Sequence, residues 1–519
     1  MKLVHDFLVE SAGQFPDKPA IISDGATLSF RAIHQASDCL ATALQGAGIS
    51  RGDRVAVFAE NGAAAAVAIF GILKAGGVFV MINPTTKARK LAYMLNDCEV
   101  RAVIAHPVLS RALVPALAET LSPPAIIWTQ CPTDECVAGL VLSEIIAGPH
   151  TTPSDPGLID IDLCTIIYTS GSTGDPKGVM LTHHNMVNTA WAISTYLGNV
   201  PEDVVICMLP LSFGYGLYQI ITGGQVGFTV LLEQGFAYPW QILQDMADHR
   251  VTGLPGVPTI FATLLQFAPF EGLDLSSLRY ISNAAAAFPP AHIRRLQSVL
   301  PGVCVFSMYG LTECTRVSYL APDRLHDKVT SVGKAMPNSE VYIVDEAGRR
   351  VGPGTIGELV IRGANVMRGY WGKPRETDER LRDGEIPGEK VLYSGDLFRM
   401  DEEGFLYFVG RKDDVFKCKG EKISPREIEN VLHEMEAVAV AAVVGVEDPI
   451  EGRAIKAFVV PREGAALNES DVLKHCRAHL ENYMVPKYVE IRDSLPTTES
   501  GKVKKSALAS AGAPQSPAT

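Results

Sequence analysis

The chain has 519 residues, which is too long for one ordinary hydrophobic core and predicts two to four domains or subdomains. Its 47% hydrophobic and 20% charged residues are globular values, and a net charge of −12 disfavours nonspecific binding to nucleic acid or to an anionic membrane. Ten scattered cysteines include no CxxC pair and no zinc-spaced Cys/His cluster, so a reduced, cytoplasmic protein is the simplest expectation. The longest apolar run, Ala63 to Leu73, is too short to span a bilayer, and the start lacks a signal-peptide pattern.

The first 150 residues alternate between strand-like and helix-like segments. An Ala-rich buried helix is predicted at residues 63–74. Predicted strands cover residues 19–23, 54–59, 77–82 and 100–105. Such alternation predicts βαβ units and a largely parallel sheet, which ends at a breaker-rich connection over residues 149–157.

A Gly- and Ser-rich stretch, YTSGSTGDPKG at residues 168–178, follows the strand-like run 164–168. Glycines let backbone N–H groups approach a ligand, and successive N–H groups in such a turn form an anion-binding concavity. The hydroxyls add donors, and Lys177 adds a positive charge. The spacing does not fit the Walker A pattern. We predict a polyphosphate cradle; the alternative of a flexible linker is opposed by the preceding strand and by Lys177.

The next segments predict a second set of α/β layers. Thr182 is the predicted N-cap of a helix that begins near His183, and residues 291–300 form a later helix. Predicted strands cover residues 203–209, 227–232, 278–282 and 303–307. From residue 333 to 362 short strands alternate with turns, with a hairpin candidate at 340–351, which predicts a small β-rich subdomain.

Charge density rises at residues 410–420, and the pattern changes again beyond them. Helices are predicted at 425–434 and 469–480, and strands at 438–446 and 454–461. The last 100 or so residues therefore predict a separate small α+β domain.

Five separated segments, in this order, resemble motifs of the adenylate-forming superfamily, which comprises acyl-CoA synthetases, nonribosomal adenylation domains and luciferases. They are the phosphate loop (168–178), YGLTE (309–313), the ribose motif YSGDL (393–397, with Ser394 for the usual Thr), the hinge motif GRKDD (410–414) and the lysine motif PTTESGKVKK (496–505). The resemblance covers nearly the whole chain. It implies an α/β fold with a large N-terminal domain (1–412), made of α/β subdomains and a small β-rich subdomain, and a small mobile α+β C-terminal domain (413–519).

The resemblance implies two half-reactions. A carboxylate attacks the α-phosphate of ATP to give acyl-AMP and pyrophosphate, and a thiol then displaces AMP. Lys502 would stabilise charge on the α-phosphate, Thr312 would bond that phosphate, and Glu313 would hold Mg²⁺, which prefers one or two carboxylates plus phosphate oxygens. The implied ATP-binding residues are Thr169, Ser170, Gly171, Ser172, Thr173, Gly174 and Lys177 in the phosphate loop; Asn283, Ala284, Ala285, Tyr309 and Gly310 at adenine; and Asp396 and Arg411 at ribose.

The same resemblance places a hinge at Asp413. Rotation about it would withdraw Lys502 after the first half-reaction and bring Lys417, Lys419 and Gly420 to a thiol tunnel. A hinge needs only a few residues that can absorb a large change in φ and ψ, and Asp tolerates unusual values.

The segment LPLSFGYGLYQ at residues 209–219 is expected to line the acyl pocket. Amino-acid-activating relatives carry an Asp where this chain has Gly214, and a buried ammonium without a counter-charge is costly. We therefore expect an aryl or aliphatic acid rather than an amino acid. Many CoA-forming relatives have His in place of Phe213, which leaves the gating of the carboxylate open. Further wall candidates, each equally compatible with ordinary core, are Tyr215, Tyr218, Gly253, Val257 and Met308.

The leading interpretation is an ATP-dependent acid–thiol ligase that makes an acyl-CoA. A rival delivers the acyl group to the phosphopantetheine of a free-standing carrier protein, and a luciferase-type oxygenase also shares these motifs. A nucleotide-binding regulator without catalysis is disfavoured because Lys177, Glu313, Asp396, Arg411 and Lys502 are all present.

Overall fold

The computed structural model describes residues 2–132, 137–169, 176–267, 270, 272–284, 288–412, 416–418, 421–448, 452–480, 484–498 and 502–509. It confirms the α/β class, with a large N-terminal domain and a smaller C-terminal one. No helix within these ranges is long and apolar enough to cross a lipid bilayer.

The strands are β1 (Pro19–Ser23), β2 (Ala26–Ser29), β3 (Arg54–Phe58), β4 (Val78–Met81), β5 (Ala102–Ala105), β6 (Ala125–Trp128), β7 (Leu140–Val141), β8 (Leu163–Thr169), β9 (Lys177–Thr182), β10 (Val204–Cys207), β11 (Thr229–Leu232), β12 (Gly253–Gly256), β13 (Tyr280–Asn283), β14 (Cys304–Tyr309), β15 (Ser318–Leu320), β16 (Lys334–Ala335), β17 (Ser339–Val344), β18 (Ile356–Gly363), β19 (Gly369–Tyr370), β20 (Leu381–Asp383), β21 (Lys390–Met400), β22 (Leu406–Arg411), β23 (Phe416–Cys418), β24 (Glu421–Ile423), β25 (Val438–Asp448), β26 (Gly452–Pro461) and β27 (Tyr488–Ile491).

The helices are α1 (Val4–Gln14), α2 (Phe30–Gly46), α3 (Ala63–Lys74), α4 (Ala88–Asp97), α5 (Ser110–Ala118), α6 (Leu142–Ala147), α7 (His183–Leu197), α8 (Gly214–Val226), α9 (Pro239–Asp248), α10 (Pro258–Phe267), α11 (Pro290–Val299), α12 (Pro374–Arg380), α13 (Pro425–His433), α14 (Glu469–His479) and α15 (Lys505–Ala509).

Two large sheets form the N-terminal domain. One has eight strands in the order β19-β9-β8-β4-β3-β5-β6-β7, and the other has nine in the order β16-β15-β14-β13-β12-β10-β11-β1-β2. Their centres are parallel, as the alternation of strands and helices predicted. The central strands are buried on both faces, which explains why they are continuous apolar runs rather than alternating ones.

The predicted elements are present, with ends displaced by a few residues. Helix α3 has the predicted bounds, and its Ala-rich composition suits a helix buried on nearly every side. The Thr182 cap is also confirmed: the Thr182 hydroxyl accepts a hydrogen bond from the Asn185 N–H, and the Asn185 side chain bonds back to the Thr182 N–H.

The predicted hairpin at residues 340–351 is present only as a short turn and does not form a ladder over its full length. A turn does form, with an Asp345 N–H bond to the Arg349 carbonyl, but only one bridge, Val344 to Arg350, follows it. Strand β17 instead pairs along its length with β18, eleven residues further on. The reason is that β18 also pairs with β21, so the ladder extends into a five-stranded sheet of β17, β18, β20, β21 and β22.

The C-terminal domain has its own core. Strands β25, β26 and β27 form a sheet that packs on α13 and α14 around Phe416, Ile428 and Val472. A second small cluster on this domain joins Leu508 of α15 to Phe458. These clusters are separate from the large core of the N-terminal domain.

One contact between the two domains consists of two histidines. The ring centroids of His292 on α11 and His433 on α13 lie 6.3 Å apart, and the Nδ1 atom of each is buried without a hydrogen-bond partner. Burial and then Arg462 and Arg295 lower the pKa of His292 to about 4. Burial, then Arg426, His292 and Arg462, lower the pKa of His433 to about 3. Both rings are therefore neutral at neutral pH.

This pair predicts a loss of stability in mild acid. The unfolded chain protonates its histidines near pH 6.5, whereas the folded chain keeps these two rings neutral, so stability is complete above that pH and falls as the pH drops toward 4. The expected loss is about 2 kcal/mol for each histidine between pH 6.5 and pH 5. Unfolding free energies of the wild type and of His433→Gln at both pH values check it. If the unfolding free energy of His433→Gln fell with pH as steeply as that of the wild type, the prediction would be contradicted. The comparison with the wild type is necessary because His183 also has a lowered pKa.

Candidate active site

The two ends of the phosphate loop lie side by side. Strands β8 and β9 are antiparallel, and Thr169 is the register partner of Lys177. The Lys177 ammonium lies 5.6 Å from the centre of the Tyr370 ring on β19, the next strand of the sheet. The other predicted loop residues (Ser170, Gly171, Ser172, Thr173 and Gly174) lie outside the described residues.

The predicted adenine residues meet at one edge of the nine-stranded sheet. In the parallel strands β12, β13 and β14, Gly256, Asn283 and Ser307 are neighbours in register near the carboxyl ends. Ala284 follows β13 directly, and Tyr309 ends β14. The carboxyl edge of a parallel sheet is where ligands commonly bind in such folds. Ala285 lies outside the described residues.

The segment after Tyr309 folds back tightly. A Cβ at Gly310 would overlap the carbonyl group of Thr315, so this position requires glycine. Thr315 has φ +60°, a left-handed value that is strained for a β-branched residue. The resulting turn carries Thr312 and Glu313 and returns to the sheet through the Val317 N–H bond to the Tyr309 carbonyl.

Three of the predicted nucleotide residues contact each other directly. The Tyr309 hydroxyl donates to Asp396 Oδ2 at 2.6 Å, and Arg411 Nε lies 3.4 Å from Asp396 Oδ1. Asp396 on β21 and Arg411 on β22 are register partners, so the ladder itself holds this pair together. Burial raises the pKa of Asp396, while Tyr309, Arg411 and Lys502 act in the opposite direction. Asp396 Oδ1 accepts no hydrogen bond from the part of the chain that the structure describes, which leaves an acceptor at this point.

Strand β21 also needs a glycine next to Asp396. Gly395 has φ +73°, and a Cβ there would overlap the Arg380 guanidinium. The Gly395 N–H donates to Glu358 Oε1, whose other oxygen accepts from Lys412 at 2.9 Å. Arg380 therefore adds positive charge beside Asp396.

Glu313 is anchored by Tyr370, whose hydroxyl donates to Glu313 Oε1 at 2.6 Å. Burial first, and the neighbouring Glu313 charge second, raise the pKa of Tyr370, so the phenol stays protonated and acts as the donor. A carboxylate held in this way is a hard oxygen ligand of the kind that Mg²⁺ prefers.

Lys502 of the C-terminal domain reaches this site. Its segment is closed by hydrogen bonds in both directions between Thr498 and Lys502, with a bridge between Thr497 and Val503. The residue is solvent exposed. Even so, its pKa is lowered, first because protein displaces water around the ammonium and then by Arg411, while Asp396 and Glu313 act in the opposite direction. The structure thus brings Lys502, Glu313, Asp396 and Arg411 within electrostatic reach of one another.

Comparison with known proteins identifies the family of this chain. Residues 8–371 match the family model described as AMP-binding enzyme, and residues 427–502 match the one described as AMP-binding enzyme C-terminal domain. The chain belongs to the AMP-binding enzyme family.

Similar proteins extend over nearly the whole length of this AMP-binding enzyme. It is 33% identical to a long-chain-fatty-acid–CoA ligase of Bacillus subtilis (strain 168), over 98% of this chain and 94% of the relative. It is 34% identical to a feruloyl-CoA synthase of Amycolatopsis sp, over 96% of each. It also resembles the crystal structure of the anthranilate CoA ligase AuaEII in complex with anthranoyl-AMP, with a TM-score of 0.91, 26% identity and coverage of 98% of this chain and 97% of that one. The predicted superfamily, and an AMP-forming acid–CoA ligase as the enzyme class, are confirmed.

The junction between the domains of this AMP-binding enzyme is short. Lys412 is tied to Glu358 on β18, and Phe416 lies in the core of the C-terminal domain. Asp413, Lys419 and Gly420 lie outside the described residues, and of Lys417 only the backbone, in β23, is described.

Three predicted pocket residues of this AMP-binding enzyme, Gly214, Tyr215 and Tyr218, lie near Thr315 or Arg316. Phe213 precedes α8, and a Cβ at Gly214 would lie 3.5 Å from Thr315 Cγ2. The Tyr215 hydroxyl bonds to Ser282, while Tyr218 and Met308 are buried. Val257 is partly buried just after β12.

Gly253 is a correction to the predicted pocket. It begins β12, in register with Tyr280 and Cys304, three residues before the row of Gly256 and Asn283. Three strand residues span about 10 Å, so Gly253 lies toward the opposite end of the strand. A Cβ there would lie 2.5 Å from the Tyr280 ring, so the position serves packing between strands.

Three site residues of this AMP-binding enzyme were missed from the sequence: Tyr370, Arg380 and Arg316. Tyr370 lies between two glycines of positive φ, Gly369 and Gly372, a local signal that could have drawn attention to it. Arg380 ends a short charged helix and looks like ordinary surface. Arg316 follows the YGLTE segment closely and is a charge in an otherwise uncharged run, which could have been noticed.

Proposed function

We propose that the C-terminal lysine Lys502 and the N-terminal cluster of Glu313, Asp396 and Arg411 form one catalytic site for acyl-AMP formation. The observation that carries the proposal is the position of Lys502 beside carboxylates of the other domain. ATP and the acid are both anionic, so the reaction needs positive charge at the point where they meet. In this proposal Lys502 stabilises charge on the α-phosphate and on the attacking carboxylate, and Thr312 bonds the α-phosphate.

The nucleotide would lie across the edge of the sheet. Tyr309 stacks on adenine beside Asn283 and Ala284, and Asp396 accepts the ribose hydroxyls, supported by the acceptor atom Oδ1. Arg411 supplies a donor to the ribose. The polyphosphate lies toward Lys177 and the loop between Thr169 and Lys177.

Glu313, with phosphate oxygens of ATP, is proposed to hold Mg²⁺. The Glu313 carboxylate suits a metal ion because Tyr370 orients it through a hydrogen bond to Oε1. Across the described ranges, Glu313 Oε2 has no hydrogen-bond or ion-pair partner. When bound, the ion supplies positive charge to the phosphates. The chain's own contribution is to fix Glu313 at the end of the turn that Gly310 and Thr315 shape.

The domain organisation is proposed as residues 1–412 and 413–519, with the hinge at Asp413. The support is the anchoring of Lys412 on one side and of Phe416 on the other. In the thioester-forming state, Lys417, Lys419 and Gly420 would approach the thiol.

The acid is proposed to be an aryl or aliphatic carboxylic acid and not an amino acid. Gly214 faces Thr315 and offers no counter-charge to an ammonium. The buried Arg316 beside Tyr215 would in addition repel one. The acceptor of the confirmed enzyme class is CoA. A free-standing carrier protein is the alternative, and a cytoplasmic location stays a prediction from the cysteine content.

The proposal predicts ATP–pyrophosphate exchange that depends on a carboxylic acid. A panel of aryl, short, medium and long acids plus amino acids is tested, and any active acid is then assayed for thioester formation with CoA. We expect exchange with one class of non-amino acid and the corresponding acyl-CoA. Exchange without a CoA product would favour the carrier-protein acceptor, fastest exchange with an amino acid would refute the proposed acid class, and no exchange with retained ATP binding would favour a regulator.

A further inference from the structure

A buried guanidinium lies beside the proposed acyl pocket. Arg316 is 3% exposed and follows the strained Thr315. Its guanidinium carbon lies 4.9 Å from the centre of the Tyr215 ring, and its Nε is buried and has no hydrogen-bond partner among the described residues. Its backbone is fixed by the Arg316 N–H bond to Cys314 and by the Asn365 side chain, which donates to the Arg316 carbonyl.

No carboxylate forms an ion pair with Arg316 within the described parts of the chain, whereas Arg279 and Arg324 both form ion pairs. An arginine stays charged even when buried. Leaving such a charge unpaired costs several kcal/mol, and a cation–π contact offsets only part of it. An anionic ligand that binds beside Arg316 would supply the missing counter-charge and remove this cost.

The surroundings of Arg316 are those of the proposed pocket. Burial raises the pKa of Tyr196, Tyr215 and Tyr218, and the Arg316 charge acts in the opposite direction on all three. The Tyr196 hydroxyl in turn lies 3.1 Å from Met308 Sδ. The phenols are neutral, so they can donate hydrogen bonds but cannot neutralise the guanidinium.

We propose that Arg316 binds a second anionic group of the acid substrate, so that the substrate class is a dicarboxylic acid or an aryl acid with an additional carboxylate. This rests on the proposed function. One carboxylate is activated near Lys502, and the other forms a charge-assisted, bidentate pair with Arg316. The second carboxylate of the substrate would supply the negative charge that Arg316 does not receive from the described protein residues.

The test compares acids that differ only in the second carboxylate. Alkanedioic acids are paired with alkanoic acids of the same carbon number, and benzenedicarboxylic acids with benzoic acid. The readout is the ratio of kcat/KM for diacid over monoacid in ATP–pyrophosphate exchange. We expect the wild type to favour the diacid and Arg316→Met to lower the ratio by about 10²-fold. Arg316→Lys, which keeps the charge but loses the planar fork, should lower it by about tenfold.

Arg399→Met is the matched control, because Arg399 lies at a similar 4.7 Å over the Tyr407 ring but is solvent exposed. It should leave the ratio unchanged. A ratio within one variant does not depend on how much enzyme is folded, and Arg316→Lys keeps the test valid if Arg316→Met fails to fold. Exchange that favours monoacids, with a ratio unaffected by Arg316→Met, would overturn this inference alone. No exchange with any acid would overturn the proposed function and the inference with it.

Discussion

Replacing Lys502 with Ala is expected to lower the rate of acyl-AMP formation by about 10²- to 10³-fold, the range for removing one donor that stabilises transition-state charge. The ammonium lies where Glu313 and Asp396 of the other domain act on it, close to the proposed position of the α-phosphate. ATP–pyrophosphate exchange measures the loss. Thioester formation from synthetic acyl-AMP and CoA should stay close to that of the wild type, because Lys502 withdraws before that step in the proposed cycle.

Lys504→Ala is the matched control for this change. Lys504 is an exposed lysine two residues further along the same segment, and its backbone N–H bonds to the Pro496 carbonyl, an interaction that Ala preserves. Its exchange rate should equal that of the wild type. Equal losses of both half-reactions in Lys502→Ala, or a similar loss in Lys504→Ala, would mean that the segment acts structurally and that Lys502 has no specific catalytic role.

Replacing Asp413 with Pro is expected to spare acyl-AMP formation and to slow thioester formation by about 10²-fold. The chain between Lys412, tied to Glu358, and Phe416, held in the C-terminal core, has only three residues to absorb a rotation. Proline fixes φ, and opposing the required change by about 3 kcal/mol corresponds to the stated factor. Single-turnover assays of each half-reaction measure the two rates separately.

Glu402→Pro tests whether proline alone causes the effect. Glu402 is exposed in the turn that the Gly404 N–H closes on the Asp401 carbonyl, where proline is favoured at the second position. Both half-reactions should be unaffected in this variant. If Asp413→Pro slowed both steps equally, the assignment of the hinge would fail.

The sequence predicted elements well where local signals decide them. Short apolar runs such as residues 54–59 bury their side chains as central strands. The Thr182 hydroxyl is suited to cap the helix that follows it. The hairpin at 340–351 was predicted too long: its turn forms, but most of β17 pairs with β18, which also pairs with β21.

The candidate site shows a similar division. Motif residues such as Asp396 and Lys502 could be named in advance, and the structure brings them together. Gly253 was assigned to the pocket because the sequence does not show at which end of β12 it lies. That position depends on the register of the strands, which a glycine in an apolar run does not reveal. Tyr370 contacts Glu313, 57 residues away in sequence, and Arg380 lies beside Gly395. The glycines beside Tyr370 could draw attention to that residue, but they do not reveal its partner.

The pairing of β21 with β22 limits how this enzyme can be recombined with its relatives. Arg411 is the last residue of β22, and its partner Asp396 lies on β21, so both halves of the proposed ribose contact belong to one ladder. A hybrid whose junction lies between β21 and β22 would combine an Asp396 from one parent with an Arg411 from the other. The two strands of that ladder would then come from different proteins. A junction between Lys412 and Phe416 keeps the ladder intact, and exchanging the C-terminal part there would replace the lysine while leaving the acid and nucleotide pockets of this chain unchanged.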